Sequence, residues 1–210
     1  MEIYVRDIIN RRGYRKNIKG DRFSLFISNY PSNLKYLRSR IGNSELILAE
    51  LCCCIGVTLE YLAPAFKKVI GVDNDKDILE ICKVNLQEVG HDDKVELIYG
   101  DVFEDDILKS IDADIVIYDV PFWYAHKEEN QGDLRLKNPP LRELISKIQN
   151  YITSNIIIFS SPEWDYEYFE KRLGIIEFEK VFIDHEHNRN QIYMGNLVRK
   201  VGRTKVNLRR

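Results

Sequence analysis

The chain has 210 residues, of which 44% are hydrophobic and 30% charged, and a net charge of −2. That length fits one domain or two small ones, and no apolar run approaches the roughly 20 residues that span a bilayer, so a membrane partner is not expected. The charged opening stretch MEIYVRDIINRRGYRK lacks the apolar core of a secretory signal, so the expected location is cytoplasmic. Four cysteines, three of them adjacent (Cys52, Cys53, Cys54) and one apart (Cys82), do not suit a disulfide framework, because neighbouring cysteines cannot easily pair.

The charge is unevenly spread. Residues 1–50 carry a balance of +5, residues 51–188 of −14 and residues 189–210 of +7. Two basic ends that meet in space would form a surface for a polyanion such as RNA; the plainer alternative is two solvated termini.

In chain order, the segment 1–45 has helical stretches and reads as a small helical extension. LILAEL (46–51) reads as a buried strand and VTLEYLAPAF (57–66) as a short helix ended by Pro64. KVIGVD (68–73) is a second strand. DKDILEICKVNLQEVG (75–90) places Ile78, Leu79, Cys82, Val84 and Leu86 at helical spacing and stops at Gly90. KVELIYGD (94–101) and DADIVIYDV (112–120) are strands three and four. PLRELISKIQNYI (140–152) is a helix with Pro140 in its first turn, NIIIFS (155–160) a fifth strand, and EWDYEYFEKRLG (163–174) a helix. IIEFEKVFI (175–183) and NQIYMGNLVRK (190–200) read as two closing strands around a polar turn. Residues 201–210 read as a basic tail.

Strand–helix alternation implies a mostly parallel sheet with right-handed crossovers and helices on both faces. The six or so residues between the last two strands are too few for a parallel crossover, so an antiparallel hairpin is expected. Ligands of such sheets bind at the carboxyl ends of the strands, and each of those ends carries a polar residue. Strand one ends in Glu50 and the turn CCCIG. Strand two ends in Asp73-Asn74, strand three in Gly100-Asp101-Val102, strand four in Asp119 followed by VPFWY. A carboxylate after strand two can accept from ribose hydroxyls, and one after strand three from an adenine amino group.

Residues 46–120 resemble the cofactor half of class I S-adenosylmethionine-dependent methyltransferases. AELCCCIGVT falls where that family has acidic-x-Gly-x-Gly-x-Gly, GVDNDKDILEICKVN is similar to its second motif, DKVELIYGDV to its third, and DVPFW to the Asn/Asp/Ser-Pro-Pro-aromatic motif of enzymes that methylate exocyclic base amines. Over most of residues 20–200 the chain looks most similar to the trimethylguanosine synthase family, which methylates guanine N2 of RNA caps. RFSLFISNYPSNLKYL (22–37), ITSNIIIFSSPEWDYEYF (152–169) and NQIYMGNLVRK (190–200) carry that wider resemblance. It departs at the fourth motif, where the family's Ser-Pro-Pro-Trp is Asp119-Val120-Pro121-Phe122, with Trp123 one place later.

The resemblance implies a class I methyltransferase fold: a seven-stranded, mostly parallel sheet with a C-terminal antiparallel hairpin, spanning residues 46–200. It implies S-adenosylmethionine as cofactor, held by Glu50, Cys52, Cys54, Gly56, Asp73, Asn74, Asp101, Val102 and Asp119. It implies catalysis by Asp119, Pro121, Phe122 and Trp123. Asp119 and a backbone carbonyl near Val120 or Pro121 would accept from the amine, Pro121 would fix the turn, and Phe122 or Trp123 would stack on the base. The acceptor implied is an RNA base, guanine N2 first and adenine N6 next. Alternatives are a small molecule or protein side chain, or a non-catalytic RNA-binding or partner subunit. The oligomeric state is not readable.

The aperiodic stretch 124–139 has the length of a functional loop, and its His126, Lys127 and Arg135 suit phosphate contact or plain solvation. DHEH (184–187) reads as a polar turn rather than a metal site. The three adjacent cysteines also make a poor structural zinc site, which wants spaced pairs, so no metal is expected. If Cys52 or Cys54 takes the positive φ of the glycines they replace, the turn is strained.

Overall fold

The computed structural model describes residues 2–119 and 141–210, with side chains from Val5 onward. Three helices open the chain: α1 (Glu2–Arg12), α2 (Arg22–Ile27) and α3 (Pro31–Ile41). Asp21 caps α2 by accepting from Ser24 N, and Pro31 opens α3, where its missing N–H costs no bond. The alternating part follows: β1 (Asn43–Leu51), α4 (Val57–Leu62), β2 (Phe66–Asp73), α5 (Lys76–Glu88), β3 (Val95–Tyr99), α6 (Asp105–Lys109), β4 (Ile115–Asp119), α7 (Leu141–Tyr151), β5 (Ile156–Ser160) and α8 (Tyr166–Leu173). Three strands close it: β6 (Glu177–Ile183), β7 (Glu186–Tyr193) and β8 (Gly202–Leu208).

The strand order is β3-β2-β1-β4-β5-β7-β6-β8. The first five strands are parallel, and β7 runs antiparallel between β5 and β6. The order reverses between β1 and β4, so the crevice at their carboxyl ends is where an α/β sheet binds a ligand. Alternate residues of the buried strands feed opposite faces. Ala49, Leu51, Val116 and Tyr118 pack with Leu144, Ile148 and Phe169 from α7 and α8. Leu48, Ile115, Ile117 and Phe159 pack with Leu37, Leu59, Leu79 and Leu86 from α3, α4 and α5. A third cluster joins Ile9, Tyr14, Ile18 and Leu25 of the N-terminal segment to Ile55 and Val57, just after β1.

The sheet has eight strands, not seven. Residues 202–208, expected within a basic tail, form β8, parallel to β6 on its free edge. Alternation of Thr204, Val206 and Leu208 with exposed Arg203, Lys205 and Asn207 gives this strand one half-buried face. The polar turn is also shorter than expected. Asp184 and His185 both have positive φ, so a two-residue hairpin turn joins Ile183 to Glu186, and His187 lies in β7, stacked on Phe182. Helix α6 was not anticipated.

Candidate active site

The turn after β1 carries the geometry of a glycine-rich loop on cysteines. Cys52 has φ 66° and Cys54 φ 51°, the left-handed region that β-carbons disfavour. Gly56, at φ 80°, is required twice over: a Cβ there would also lie 2.4 Å from Cys82 Sγ. The backbone pays for the turn with bonds to the next strand. Cys53 N donates to Val72 O at 3.0 Å, and Cys54 N donates to Asp73 Oδ2 at 2.9 Å.

All four cysteines are free thiols. Burial, with Asp73 and Asp119 nearby, pushes the Cys52 thiol well up. A hydrogen bond with Cys82, and then burial, does the same for Cys53. Burial raises Cys54 to about 12. All three shifts favour the neutral thiol over the thiolate. Among the described residues no three His, Cys, Asp or Glu side chains converge to hold a metal ion.

Pairing register carries Asp119 to the same level as this turn. Glu50 pairs with Ile117 and Leu51 with Tyr118, so Cys52 is flanked by Asp119 on one side and, through Leu51–Val72, by Asp73 on the other. A cleft between them is lined by Glu50, the three cysteines, Thr58 and Asp119, and on its far side by Ile27, Ser28 and Asn29.

Asp119 is the centre of that cleft. Asn29 Nδ2 donates to its Oδ2 and to Thr58 Oγ1, both at 3.1 Å. Arg189 of β7 reaches over the Phe159 ring and places Nη1 3.5 Å from the same Oδ2. Both contacts fall on one oxygen. Burial raises the Asp119 carboxyl above its ordinary range, and Arg189 and Asn29 oppose that. Burial, and then the neighbouring Asp119 charge, push the Glu50 carboxyl well above its ordinary range as well.

Unsatisfied polar atoms gather here. Glu50 Oε2, Asn29 Oδ1, Arg189 Nε and Arg189 Nη1 are buried without a hydrogen bond to any described residue. Buried groups of that kind normally find partners, and together with two strained non-glycine residues they mark a place built for a ligand.

The remaining expected residues are near but less engaged. Asp73 accepts from Cys54 N and, through Oδ1, from Asp75 N at 3.1 Å. Asp101 accepts from Phe103 N at 3.0 Å, Val102 is buried and Asn74 is exposed. These follow β2 and β3 and do not line the cleft. Pro121, Phe122 and Trp123, and the loop 124–139, lie outside the described residues. The sequence reading missed Asn29, Thr58 and Arg189.

This is the architecture of class I methyltransferases, with the strand-one turn and the strand-four carboxylate meeting at the switch point. The chain belongs to the RNA cap guanine-N2 methyltransferase family, whose model matches residues 44–168, more than half of its length, and it is an S-adenosylmethionine-dependent methyltransferase. Similar solved structures include a putative methyltransferase from Porphyromonas gingivalis W83, at 15% identity and TM-score 0.70, covering 96% of this chain and 49% of that one. An rRNA methylase from Streptococcus thermophilus shares 14% identity at TM-score 0.54, covering 77% and 92%. An RNA methyltransferase from Salinibacter ruber, solved with S-adenosyl-L-homocysteine, shares 15% identity at TM-score 0.50, covering 83% and 96%. At these identities they establish the fold. Among the described residues no helix is long and apolar enough to cross a membrane.

Proposed function

We propose that the protein methylates an exocyclic amine of an RNA base, guanine N2 before adenine N6. The observation that carries this reading is the double hold on Asp119 Oδ2 by Asn29 and Arg189, with Oδ1, at the carboxyl end of β4, bonded to none of the described residues. An exocyclic amine is a weak nucleophile because its lone pair is delocalised into the ring. A carboxylate oxygen that accepts one amine N–H turns the lone pair out of the ring plane and holds it in line for attack, so catalysis is mostly positioning. The proton lost from the methylated nitrogen passes to Asp119, whose carboxyl is already above its ordinary range through burial.

The residues fit the cofactor. Glu50 presents an orphan buried oxygen, Cys52 and Cys54 supply a glycine-like backbone path, and Asp73 and Asp101 present carboxylates at the neighbouring strand ends. When bound, S-adenosylmethionine supplies the sulfonium methyl. Under this reading Glu50, Cys52, Cys54, Gly56, Asp73, Asn74, Asp101 and Val102 would hold it and Asp119 would accept from the amine; Pro121, Phe122 and Trp123 lie outside the described residues, and the resemblance assigns them the turn and stacking on the base, a contact worth about 1–3 kcal/mol. Family membership favours guanine over adenine.

Methyl-labelled S-adenosylmethionine and bulk RNA, followed by digestion to nucleosides, test the reading. Label in N2-methylguanosine is expected. Label in N6-methyladenosine would move the assignment to the second base, and label in no nucleoside would sink the RNA reading.

A further inference from the structure

The two basic ends of the chain meet. Because β8 runs parallel to β6, and β6 points the same way as β5 and β4, residues 209 and 210 emerge at the carboxyl edge of the sheet, where the cleft opens. The turn between β6 and β7 fastens them there: Asp184 N donates to Leu208 O, Arg210 N donates to Asp184 Oδ1, and Arg210 Nε pairs with Asp184 Oδ2 at 3.0 Å. The Arg210 guanidinium lies 5.8 Å from the Tyr30 ring centre, and Arg12 of α1 lies 4.2 Å from the same ring. Tyr30 directly follows Asn29, which bonds Asp119. The ring flanked by two arginines therefore follows, by one residue, the side chain that holds the Asp119 carboxylate in the lining of the cleft.

We propose that Arg12, Tyr30 and Arg210 form a rim that grips phosphates of the RNA next to the acceptor base. This rests on the RNA reading given above. Arg210 spends Nε on Asp184, and its terminal nitrogens make no bond to a described residue; its side chain is 40% exposed. Arg12 is fixed by donating to Ser28 O and Phe26 O, so its charge is held in place, with no carboxylate among the described residues paired to it. A guanidinium fixed in this way suits phosphate recognition. Phe26, 61% exposed and 5.1 Å from the Arg12 guanidinium, adds a stacking ring beside the charge, the pairing that single-stranded RNA sites use. Residues 51–188 carry −14, so an approaching polyanion is repelled by the body and drawn to the rim.

The rim is tested by fluorescence anisotropy with a labelled single-stranded oligoribonucleotide over a series of KCl concentrations, using Arg210→Ala, Arg12→Gln and the double variant. Each phosphate contact removed lowers the slope of log affinity against log salt by about one, so a reduction of about one per single variant and about two in the double is expected. RNA affinity should fall roughly 3- to 10-fold per variant, with S-adenosylmethionine affinity, read by calorimetry, unchanged. Wild-type protein that binds the RNA while the variants keep its affinity and slope would overturn the rim alone. Wild-type protein with no affinity for RNA at any salt would overturn the RNA reading itself. Displacement of the RNA by polyglutamate of equal charge as readily as by unlabelled RNA would assign the surface to an acidic protein and also overturn the proposal.

Discussion

The two ends of the sheet handle buried charge in opposite ways. At the amino end of β6, Arg40 bonds Glu177 and Glu179 at 2.7 Å each. Tyr36 and Tyr193 donate to Glu179 at 2.7 and 2.9 Å, and Arg199 N and Lys200 N donate to Glu177, tying the crossover into β8. At the carboxyl end of β4, Asp119 has one cation at 3.5 Å and a neighbour, Glu50, with an orphan oxygen. Bonding outweighs burial at Glu177 and holds its carboxyl below the ordinary range, whereas burial wins at Asp119 and holds it above. The contrast lies in the carboxylates, since Arg40 Nε is itself buried without a partner among the described residues: carboxylates bonded from several sides stabilise one arrangement, and a carboxylate left partly bonded is available to a ligand.

The largest effect should come from breaking the bonded end. Arg40→Ala leaves two carboxylates buried without their cation, a loss of about 3–5 kcal/mol. At roughly 2–4 °C per kcal/mol for a chain of this size, Tm should fall by roughly 6–20 °C in a thermal melt at pH 7. The sign with pH follows from Glu177. A carboxyl held low contributes stability above its unfolded pKa and loses it as pH falls through the folded one. Wild-type Tm should therefore drop through the acidic range, and the variant, already without this pair, should drop less. A variant melting within 2 °C of wild type would make the two ends equivalent.

At the other end activity should suffer before stability does. Asp119→Asn keeps the shape and removes the charge; loss of one preorganised contact at the reacting centre costs about 10²–10³ in kcat, with S-adenosylmethionine still bound in calorimetry. Arg189→Met should cost less, about tenfold in kcat at neutral pH. Its sharper signature is the pH profile. Asp119 must be ionised to accept the amine, and Arg189 opposes the rise that burial causes. Glu50, Cys52 and Tyr118 on the surrounding strands supply no compensating cation, and Asn29 supplies only a neutral donor. The acid limb of kcat should therefore move to higher pH, and a lowered but unshifted profile would limit Arg189 to packing.

The parallel strands and their helices were legible because buried apolar runs of VIGV or IIIF type admit few other placements, and the hairpin because so few residues separate its strands. The eighth strand was not: its period of two is written in Arg203, Thr204, Lys205, Val206 and Asn207, and a single half-buried face among charges looks like a solvated tail. The site was half legible. Glu50 and Asp119 announce themselves at strand ends, where a carboxylate after an apolar run has an obvious task, whereas Asp73 reads the same way and does not line the cleft. Arg189 sits just before the predicted closing strand at 190–200, in a polar stretch that reads as turn, and its role depends on reaching across β5. Asn29 lies 90 residues from Asp119, and nothing local to the segment SNYPSN reports that contact.

The smallest expected effect bears on the strain. A non-glycine residue in the left-handed region costs about 1–3 kcal/mol, and glycine there costs about 0.5–1 kcal/mol of extra entropy on folding. Cys54→Gly also gives up the partial packing of Cys54 against the N-terminal cluster. The balance is a gain of up to about 1 kcal/mol, or a Tm rise of roughly 1–4 °C. Cys53→Gly is the opposing control, since Cys53 is buried at 4% exposure, has no positive φ and should lose stability instead. If S-adenosylmethionine lies against the backbone of this turn, removing the Cys54 Cβ should tighten its binding while the melt shifts upward. A rise in Tm with weakened binding would mean that the thiol touches the ligand, so that the cysteine is there for contact and the strain is its cost. Tighter binding would mean that the turn works through its backbone alone, as a glycine turn does, and that the cysteines are tolerated rather than used.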